Sequence, residues 1–334
     1  MTQKRQIWRY LFLFLFLLSC IENAPMDSLD AQGPYAREIN NLFWPILYVG
    51  YIIFGIVLVL LILGLFVFDD KTDKEPKNIE GSNLLEIIWT LVPIIIIVSI
   101  AIPTVKVTRD LLKTPENAIE IEVIGQQWWF DFYYADQQIS SPNLLVIPKN
   151  QDISLKMTSK DVIHSFWVPK LNGKRYMVPN VDTYLNIKAE KEGLYWSQCG
   201  EFCGLSHAKM RARVLVVSNE EYKSWLQNQT LAYETNTNEG SSIYDGQLVF
   251  LNAGCTQCHE IKGFNESNEA LLGPDLTHFA SRPMFAGSSL KLTRENLESW
   301  LVDPPIVKPG SYMPKLKLTE IEISQLIDFL MELR

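Results

Sequence analysis

Apolar residues are concentrated in the first third of the chain, where they form three runs of different length. The first run, LFLFLFLL at 11–18, follows three basic residues and is too short to cross a bilayer. A basic stretch followed by a short apolar run is typical of an export signal, which we assign to residues 1–20. The rest of the chain is therefore expected to leave the cytoplasm or to be anchored in its membrane.

The signal ends in LLSC, which resembles a bacterial lipobox. This resemblance predicts lipidation and cleavage at Cys20, so that the mature chain is lipid-anchored. The alternative is an ordinary signal peptide that contains a cysteine by chance.

The other two apolar runs predict membrane-spanning helices. Residues 42–68 and 87–105 contain no charged residue, and each is about as long as the ~20-residue helix that crosses the hydrocarbon core. We assign residues 38–110 to a transmembrane helical hairpin, in which Pro93 is expected to kink the second helix. Basic residues lie both in the loop between the two spans and just after the second span, so the orientation rests on the export signal, which places the chain beyond 106 on the periplasmic side.

Beyond the hairpin the period of the apolar residues changes to two. AIEIEVIG at 118–125 alternates as a half-buried strand does. Further strand-like runs, separated by turn residues, lie at 143–150, 152–158, 183–189, 193–199 and 210–217. This pattern predicts an all-β sandwich or barrel over 116–217.

The last part of the chain has a helical pattern. The polar stretch 218–242 predicts a linker, and helices are expected near 243–253, 293–301 and 319–333. Residues 243–334 are therefore predicted to form an all-α domain. The fold class is multidomain, with a transmembrane hairpin, an all-β domain and an all-α domain.

Charge and cysteine usage narrow the function. The net charge is −8, which argues against a nucleic-acid partner because no basic surface is available to neutralise phosphates. The chain has five cysteines and four histidines, and every cysteine falls inside a motif. No cysteine remains for a structural disulfide, so the cysteines after the signal are expected to bind metal or haem.

CGEFCGLSHAKM is the most informative stretch of the sequence. It supplies Cys199, Cys203, His207 and Met210, and DVIHSFWVP supplies His164 as a second imidazole. Thiolate, imidazole and thioether ligands favour copper over hard cations, and a second thiolate allows the sulfurs to bridge two metals. Zinc is the alternative, but methionine is a poor zinc ligand.

With these residues in place, region 38–217 resembles cytochrome c oxidase subunit II, which has a helical hairpin and a cupredoxin domain. The resemblance implies a dinuclear copper centre of the CuA type. Its ligands would be His164, Cys199, the carbonyl of Glu201, Cys203, His207 and Met210. Because every ligand position is filled, the quinol-oxidising relatives, which have lost the metal, are excluded.

Two neighbouring features are less specific. GQQWWFDFYY places Trp128 where the family's electron-accepting tryptophan lies, although the following Trp129 and Phe130 depart from the usual order and core packing is the alternative. The resemblance also implies that the Glu201 carboxylate contacts a magnesium ion shared with the catalytic subunit. The loop NGKRYMVPN at 172–180 departs from the family's acidic version, which bears on that magnesium site.

CTQCH at 255–259 is the attachment sequence of a c-type haem. Cys255 and Cys258 would bind the vinyl groups and His259 the iron. Met313 lies in a stretch that resembles the axial-methionine loop of cytochromes c, with Met284 as its rival. His278 is expected at the surface or beside the propionates.

GPDLTHFASR at 273–282 adds two expectations about the haem surroundings. Gly273 and Pro274 would shape the loop on the proximal side of the haem. Arg282 would pair with a haem propionate.

The order of signal, hairpin, cupredoxin domain and cytochrome c domain resembles the cytochrome-c-fused subunit II of bacterial haem–copper oxidases. The resemblance implies an electron-transfer subunit of a proton-pumping respiratory oxidase. Electrons would come from a cytochrome c or cytochrome bc-type donor and pass through haem c and copper to the haem of catalytic subunit I, where oxygen is reduced to water. The alternatives are the copper-bearing subunit of a nitric oxide reductase, a copper-binding or copper-delivery protein, and a structural assembly subunit.

Overall fold

Two long apolar helices begin the described part of the chain. The computed structural model describes residues 24–67, 81–265 and 272–334, so the predicted signal with Cys20 lies outside it. Helix α1 (Pro34–Val67) and helix α2 (Asn83–Leu111) reach mean hydropathies of 3.0 and 2.6, and the side chains of their most apolar windows are not buried. Both are long and apolar enough to cross a membrane. They exceed the predicted spans because polar residues at their ends continue the helices.

Ten strands form two five-stranded sheets packed as a sandwich. The strands are β1 (Ile119–Gln126), β2 (Trp129–Tyr134), β3 (Ile139–Ser140), β4 (Leu144–Pro148), β5 (Ile153–Ser159), β6 (His164–Trp167), β7 (Lys174–Met177), β8 (Thr183–Ile187), β9 (Gly193–Cys199) and β10 (Arg211–Val217). The sheet orders are β3-β2-β1-β5-β8 and β4-β10-β9-β6-β7. The alternation in β1 buries Ile121 and Val123 between the sheets. We call residues 116–217 the sandwich domain.

The segment predicted as a linker contains a helix, α3 (Asn219–Gln229). Its first turn is closed by a capping box, in which Ser218 Oγ accepts a hydrogen bond from Glu221 N at 3.2 Å and Glu221 Oε2 accepts one from Ser218 N at 3.0 Å. The ring of Trp225 packs on the ring of Tyr134 in the sandwich domain, with the ring centroids 5.1 Å apart. The sequence did not reveal this helix because a helix lying on a domain surface needs only a few apolar residues.

The C-terminal domain, residues 243–334, has its own hydrophobic core. Its elements are α4 (Ser242–Asn252), β11 (Met284–Phe285), β12 (Leu290–Lys291), α5 (Arg294–Val302), α6 (Pro304–Val307) and α7 (Glu320–Leu330). Helices α4 and α7 pack closely because Gly246 lies against the Gln325 carbonyl, where a side chain would collide. Phe250 of α4 packs edge-on against Phe329 of α7 with ring centroids 5.6 Å apart. The three predicted helices are present at the expected positions.

Candidate metal and haem sites

Three predicted metal ligands converge in the interior of the sandwich domain. Potential ligand atoms of His164, Cys199 and Cys203 all lie within 4.8 Å of one another, and all three residues are buried. His164 begins β6 and Cys199 ends β9, and these strands pair with Phe166 opposite Cys199. Strand pairing therefore joins residues that are far apart in the sequence.

The other predicted copper ligands lie around the two sulfurs. The Sγ atoms of Cys199 and Cys203 are 3.8 Å apart, so they do not form a disulfide. His207 Nδ1 lies 3.5 Å and Met210 Sδ 3.8 Å from Cys203 Sγ. The carbonyl oxygen of Glu201 lies 3.2 Å from Cys199 Sγ. The structure thus brings all six predicted donors together.

The electrostatics of this cluster suit a cation. The hydrogen bond from Cys203 lowers the pKa of the Cys199 thiol well below its usual range, with burial opposing this effect. The same hydrogen bond, burial and the charge of Cys199 raise the pKa of Cys203. Two thiolates at this distance therefore require a positive charge between them, which a metal ion supplies.

His164 has a nitrogen left free for a metal. Its Nε2 is bonded to Asp161 Oδ1 at 2.7 Å, whereas its buried Nδ1 has no hydrogen-bond partner among the described residues. Metal-binding histidines commonly use one nitrogen for the ion and give the other to a carboxylate. The soft donors and this free nitrogen fit copper.

A second site lies in the C-terminal domain, around a cavity of about 330 Å³. The cavity is lined by the predicted haem residues Cys255, Cys258, His259, Arg282 and Met313. His259 Nδ1 bonds to the Pro274 carbonyl at 2.8 Å, which leaves Nε2 as the nitrogen available to iron. Burial lowers the pKa of His259 and so favours the neutral imidazole that binds iron. These residues fit a covalently attached haem.

Arg282, Met313 and Met284 all line the cavity, and His278 does not. Trp300 Nε1 donates a hydrogen bond to Met313 Sδ at 3.1 Å. Arg282 forms an ion pair with Asp275, in which Nη2 and Oδ1 are 3.8 Å apart. His278 is buried, and its Nε2 bonds to the Gln229 carbonyl at 3.2 Å. The expectation of a surface position for His278 was therefore wrong, because the connecting segment covers it.

Gly273 approaches the proximal histidine so closely that a side chain has no room. A Cβ there would lie 2.7 Å from His259 Cε1 and 2.8 Å from the Cys258 carbonyl. We expect Gly273→Ala to displace His259 and destabilise the haem-bound protein by about 1–3 kcal/mol. Thermal unfolding and the haem absorption spectrum of the full chain measure this. Gly173→Ala is the control, since its nearest neighbour would be at 3.4 Å; equal behaviour of the two variants would contradict the prediction.

Trp128 lies between the two sites and is only 6% exposed. Its Nε1 donates to the carbonyl of Cys203 at 3.0 Å. On the other side its ring stacks on Tyr312 of the C-terminal domain, with centroids 6.4 Å apart and planes 13° from parallel. Trp128 and Trp129 also line the haem cavity. The sequence did not reveal Tyr312, because its position depends on how the two domains meet.

Comparisons with known families and proteins agree with this arrangement. The chain matches the family described as cytochrome C oxidase subunit II, transmembrane domain, over residues 22–107 and its periplasmic domain over 137–217. Residues 243–334 match the family cytochrome c. The resemblance predicted from the copper and haem motifs is therefore confirmed.

Individual relatives extend the match to nearly the whole chain. Cytochrome c oxidase subunit 2 of Alkalihalophilus pseudofirmus is 32% identical over 97% of this chain and 95% of its own length. The subunit 2 of Bacillus sp. strain PS3 is 33% identical over 79% of this chain and 78% of its own. The crystal structure of the periplasmic domain of subunit II of Bradyrhizobium japonicum cytochrome oxidase is 28% identical, with a TM-score of 0.34 over 35% of this chain and 96% of that one.

The fold, the sites and these relatives lead to one assignment. The protein is a membrane protein with an extracellular part, and it works beside a catalytic subunit in a haem–copper oxidase. Its family implies copper, and its cytochrome c domain implies haem c. The chain belongs to the cytochrome c oxidase subunit II family, in a form that ends in a cytochrome c domain, and is an electron-transfer subunit of a terminal oxidase.

Proposed function

We propose that the chain accepts electrons on a covalent haem c and passes them through Trp128 to a dinuclear copper centre. The haem would be held by Cys255, Cys258, His259 and Met313, with Arg282 at a propionate. The copper ligands would be His164, Cys199, the Glu201 carbonyl, Cys203, His207 and Met210. The observation that carries the proposal is the position of Trp128, which touches both a copper-ligand residue and the domain of the haem.

Copper held by these residues would accept and release one electron, and haem held by His259 and Met313 would have the raised potential that suits transfer toward an oxidant. The protein groups hold these centres in place. Asp161 orients His164 through its Nε2, and the Pro274 carbonyl orients His259 through its Nδ1. Burial of both cysteines keeps water from the sulfurs.

The partners follow from this path. We propose a cytochrome c or a cytochrome bc-type complex as the donor and the haem of catalytic subunit I as the acceptor. The Glu201 carboxylate would share a magnesium ion with that subunit. The hairpin would place both soluble domains in the periplasm, and Cys20 would carry the lipid after removal of residues 1–20. The domains would span 38–110, 116–217 and 243–334, with 218–242 connecting the last two.

Replacing Trp128 with phenylalanine tests the path. The variant loses the indole N–H that donates to the Cys203 carbonyl. We expect transfer from haem to copper to slow by about tenfold, equivalent to about 1.4 kcal/mol in the barrier. The measurement is the reoxidation of photoreduced haem in the purified oxidase, followed together with the copper absorption.

The control for this experiment is Trp225→Phe, since the ring of Trp225 contacts Tyr134 and Tyr222 and lines neither site. Haem and copper contents should be unchanged in both variants. An unchanged transfer rate in Trp128→Phe would exclude Trp128 from the path.

A further inference from the structure

Among the described residues, the hydrogen bonds between the C-terminal domain and the sandwich domain come from two short segments of the C-terminal domain, 286–289 and 307–312. In the first segment, the Gly287 carbonyl accepts from Arg211 N at 3.0 Å and Ser289 Oγ donates to the Lys209 carbonyl at 2.7 Å. In the second, Ser206 Oγ donates to the Pro309 carbonyl at 2.6 Å. The contacts are hydrogen bonds to main-chain carbonyls, which depend strictly on position and therefore fix how the domains sit.

Lys308 lies where these two segments and the sandwich meet, and it is 5% exposed. Its Nζ donates to the carbonyl of Trp128 in the sandwich domain at 2.6 Å. It also donates to the carbonyl of Ala286 in its own domain at 3.1 Å. One amine thus joins Trp128 to both segments of the C-terminal domain.

The surroundings of Lys308 offer no carboxylate partner within the described ranges. Two groups act on Lys308 through their charge: Lys209, whose Nζ donates to the Val307 carbonyl, and the Cys203 sulfur. Burial, and then the charge of Lys209, lower the pKa of Lys308 to about 7. Burying an amine without a carboxylate partner costs free energy, and the two hydrogen bonds of Lys308 to main-chain carbonyls offset part of that cost.

Neighbouring residues leave room for this amine. Gly287 has φ +72°, and a Cβ there would lie 2.7 Å from the Trp128 carbonyl oxygen that Lys308 binds. Tyr312, four residues after Lys308, stacks on the Trp128 ring, and its hydroxyl donates to Gln127 Oε1 at 3.1 Å. The main chain and the ring of Trp128 are therefore both held by the 307–312 segment, which leads directly into Met313.

We propose that Lys308 is a positioning residue that holds the C-terminal domain against Trp128 and thereby sets the geometry of electron transfer between haem and copper. This inference rests on the proposed function. One electron leaves the haem, which is oxidised, and reaches the copper pair, which is reduced, while no bond or proton changes. Lys308 touches neither centre and acts only through the placement of Trp128 and the 307–312 segment.

The test replaces Lys308 with methionine in the intact oxidase complex. Methionine has a similar length but leaves the Trp128 and Ala286 carbonyls without their donor. We expect the haem-to-copper rate to fall about tenfold or more, while both midpoint potentials and reduction of the haem by a small-molecule reductant stay unchanged. Amide hydrogen exchange should also become faster in 286–289 and 307–312, a readout independent of electron transfer.

Lys291→Met is the matched control, because Lys291 is an exposed lysine of the same domain. If the wild-type complex shows no haem-to-copper transfer, the proposed function fails before Lys308 is tested. If the wild type transfers and Lys308→Met matches it in rate and exchange, the positioning role is overturned. Should Lys308→Met lose haem or copper, Lys308→Leu, which also lacks a donor, takes its place: slower transfer with faster exchange supports the role, and wild-type values overturn it.

Discussion

Replacing Cys203 with serine is expected to remove both coppers and to leave the haem in place. Cys203 Sγ lies within 4 Å of three proposed donor atoms, on Cys199, His207 and Met210, so its loss breaks the cluster at its centre. A serine hydroxyl is a hard, neutral ligand that copper disfavours. Metal analysis and a haem assay of the purified full chain should change from about two coppers per haem to almost none.

The reciprocal variant is Cys255→Ser with Cys258→Ser, which should lose covalent haem and keep copper. This pair of results separates loss of a site from general misfolding, because each variant carries the other site as an internal standard. One copper per haem in the wild type, or copper retained by Cys203→Ser, would contradict a dinuclear centre and favour a copper-delivery protein.

Replacing Gly310 with valine is expected to separate the two domains. Gly310 has φ +80°, and a Cβ there would lie 2.6 Å from Trp128 Cη2 and 3.2 Å from Leu205 Cδ1. A β-branched residue is strained in this backbone conformation and also collides with the indole. We expect haem-to-copper transfer to slow by about a hundredfold, equivalent to about 2.7 kcal/mol.

Gly240→Val provides a closely matched control. Gly240 has the same φ of +80°, but nothing lies within 4 Å of a Cβ at that position. It therefore carries the backbone strain without the collision and should transfer electrons at the wild-type rate. The haem spectrum should also be recorded, because Gly310 lies near Met313 in the sequence. Equal rates in the two glycine variants would show that contact with Trp128 does not limit transfer.

Much of the fold could be predicted because it is encoded locally. The apolar runs predicted both long helices, and strand-like runs between turns predicted six of the ten strands of the sandwich domain, β1 among them. Strand β6 was missed because it covers only His164–Trp167, too short to show a period. Strand β2 was missed because its aromatic residues obscured the alternation, although Phe130 and Phe132 do point into the core.

The candidate ligands were predictable for a related reason. Cys199, Cys203, His207 and Met210 lie within twelve residues, and Cys255, Cys258 and His259 within five. Spacings this short restrict how far apart the donor atoms can lie, so the type of metal or haem site can be predicted from the sequence alone. His164 was found only because a second imidazole was required, and strand pairing is what brings it to the sulfurs.

The sequence by itself therefore determined the two apolar helices, the two soluble domains and nearly all the proposed donor atoms, because each depends on residues close together in the chain. Only the tertiary structure decided how the domains meet: Lys308 binds the Trp128 carbonyl across 180 residues, and Tyr312 stacks on the same tryptophan. Such contacts have no period and no motif. Their partners are chosen by the packing of two independently folded surfaces, and that packing places Trp128 between the proposed haem cavity and the proposed copper ligands.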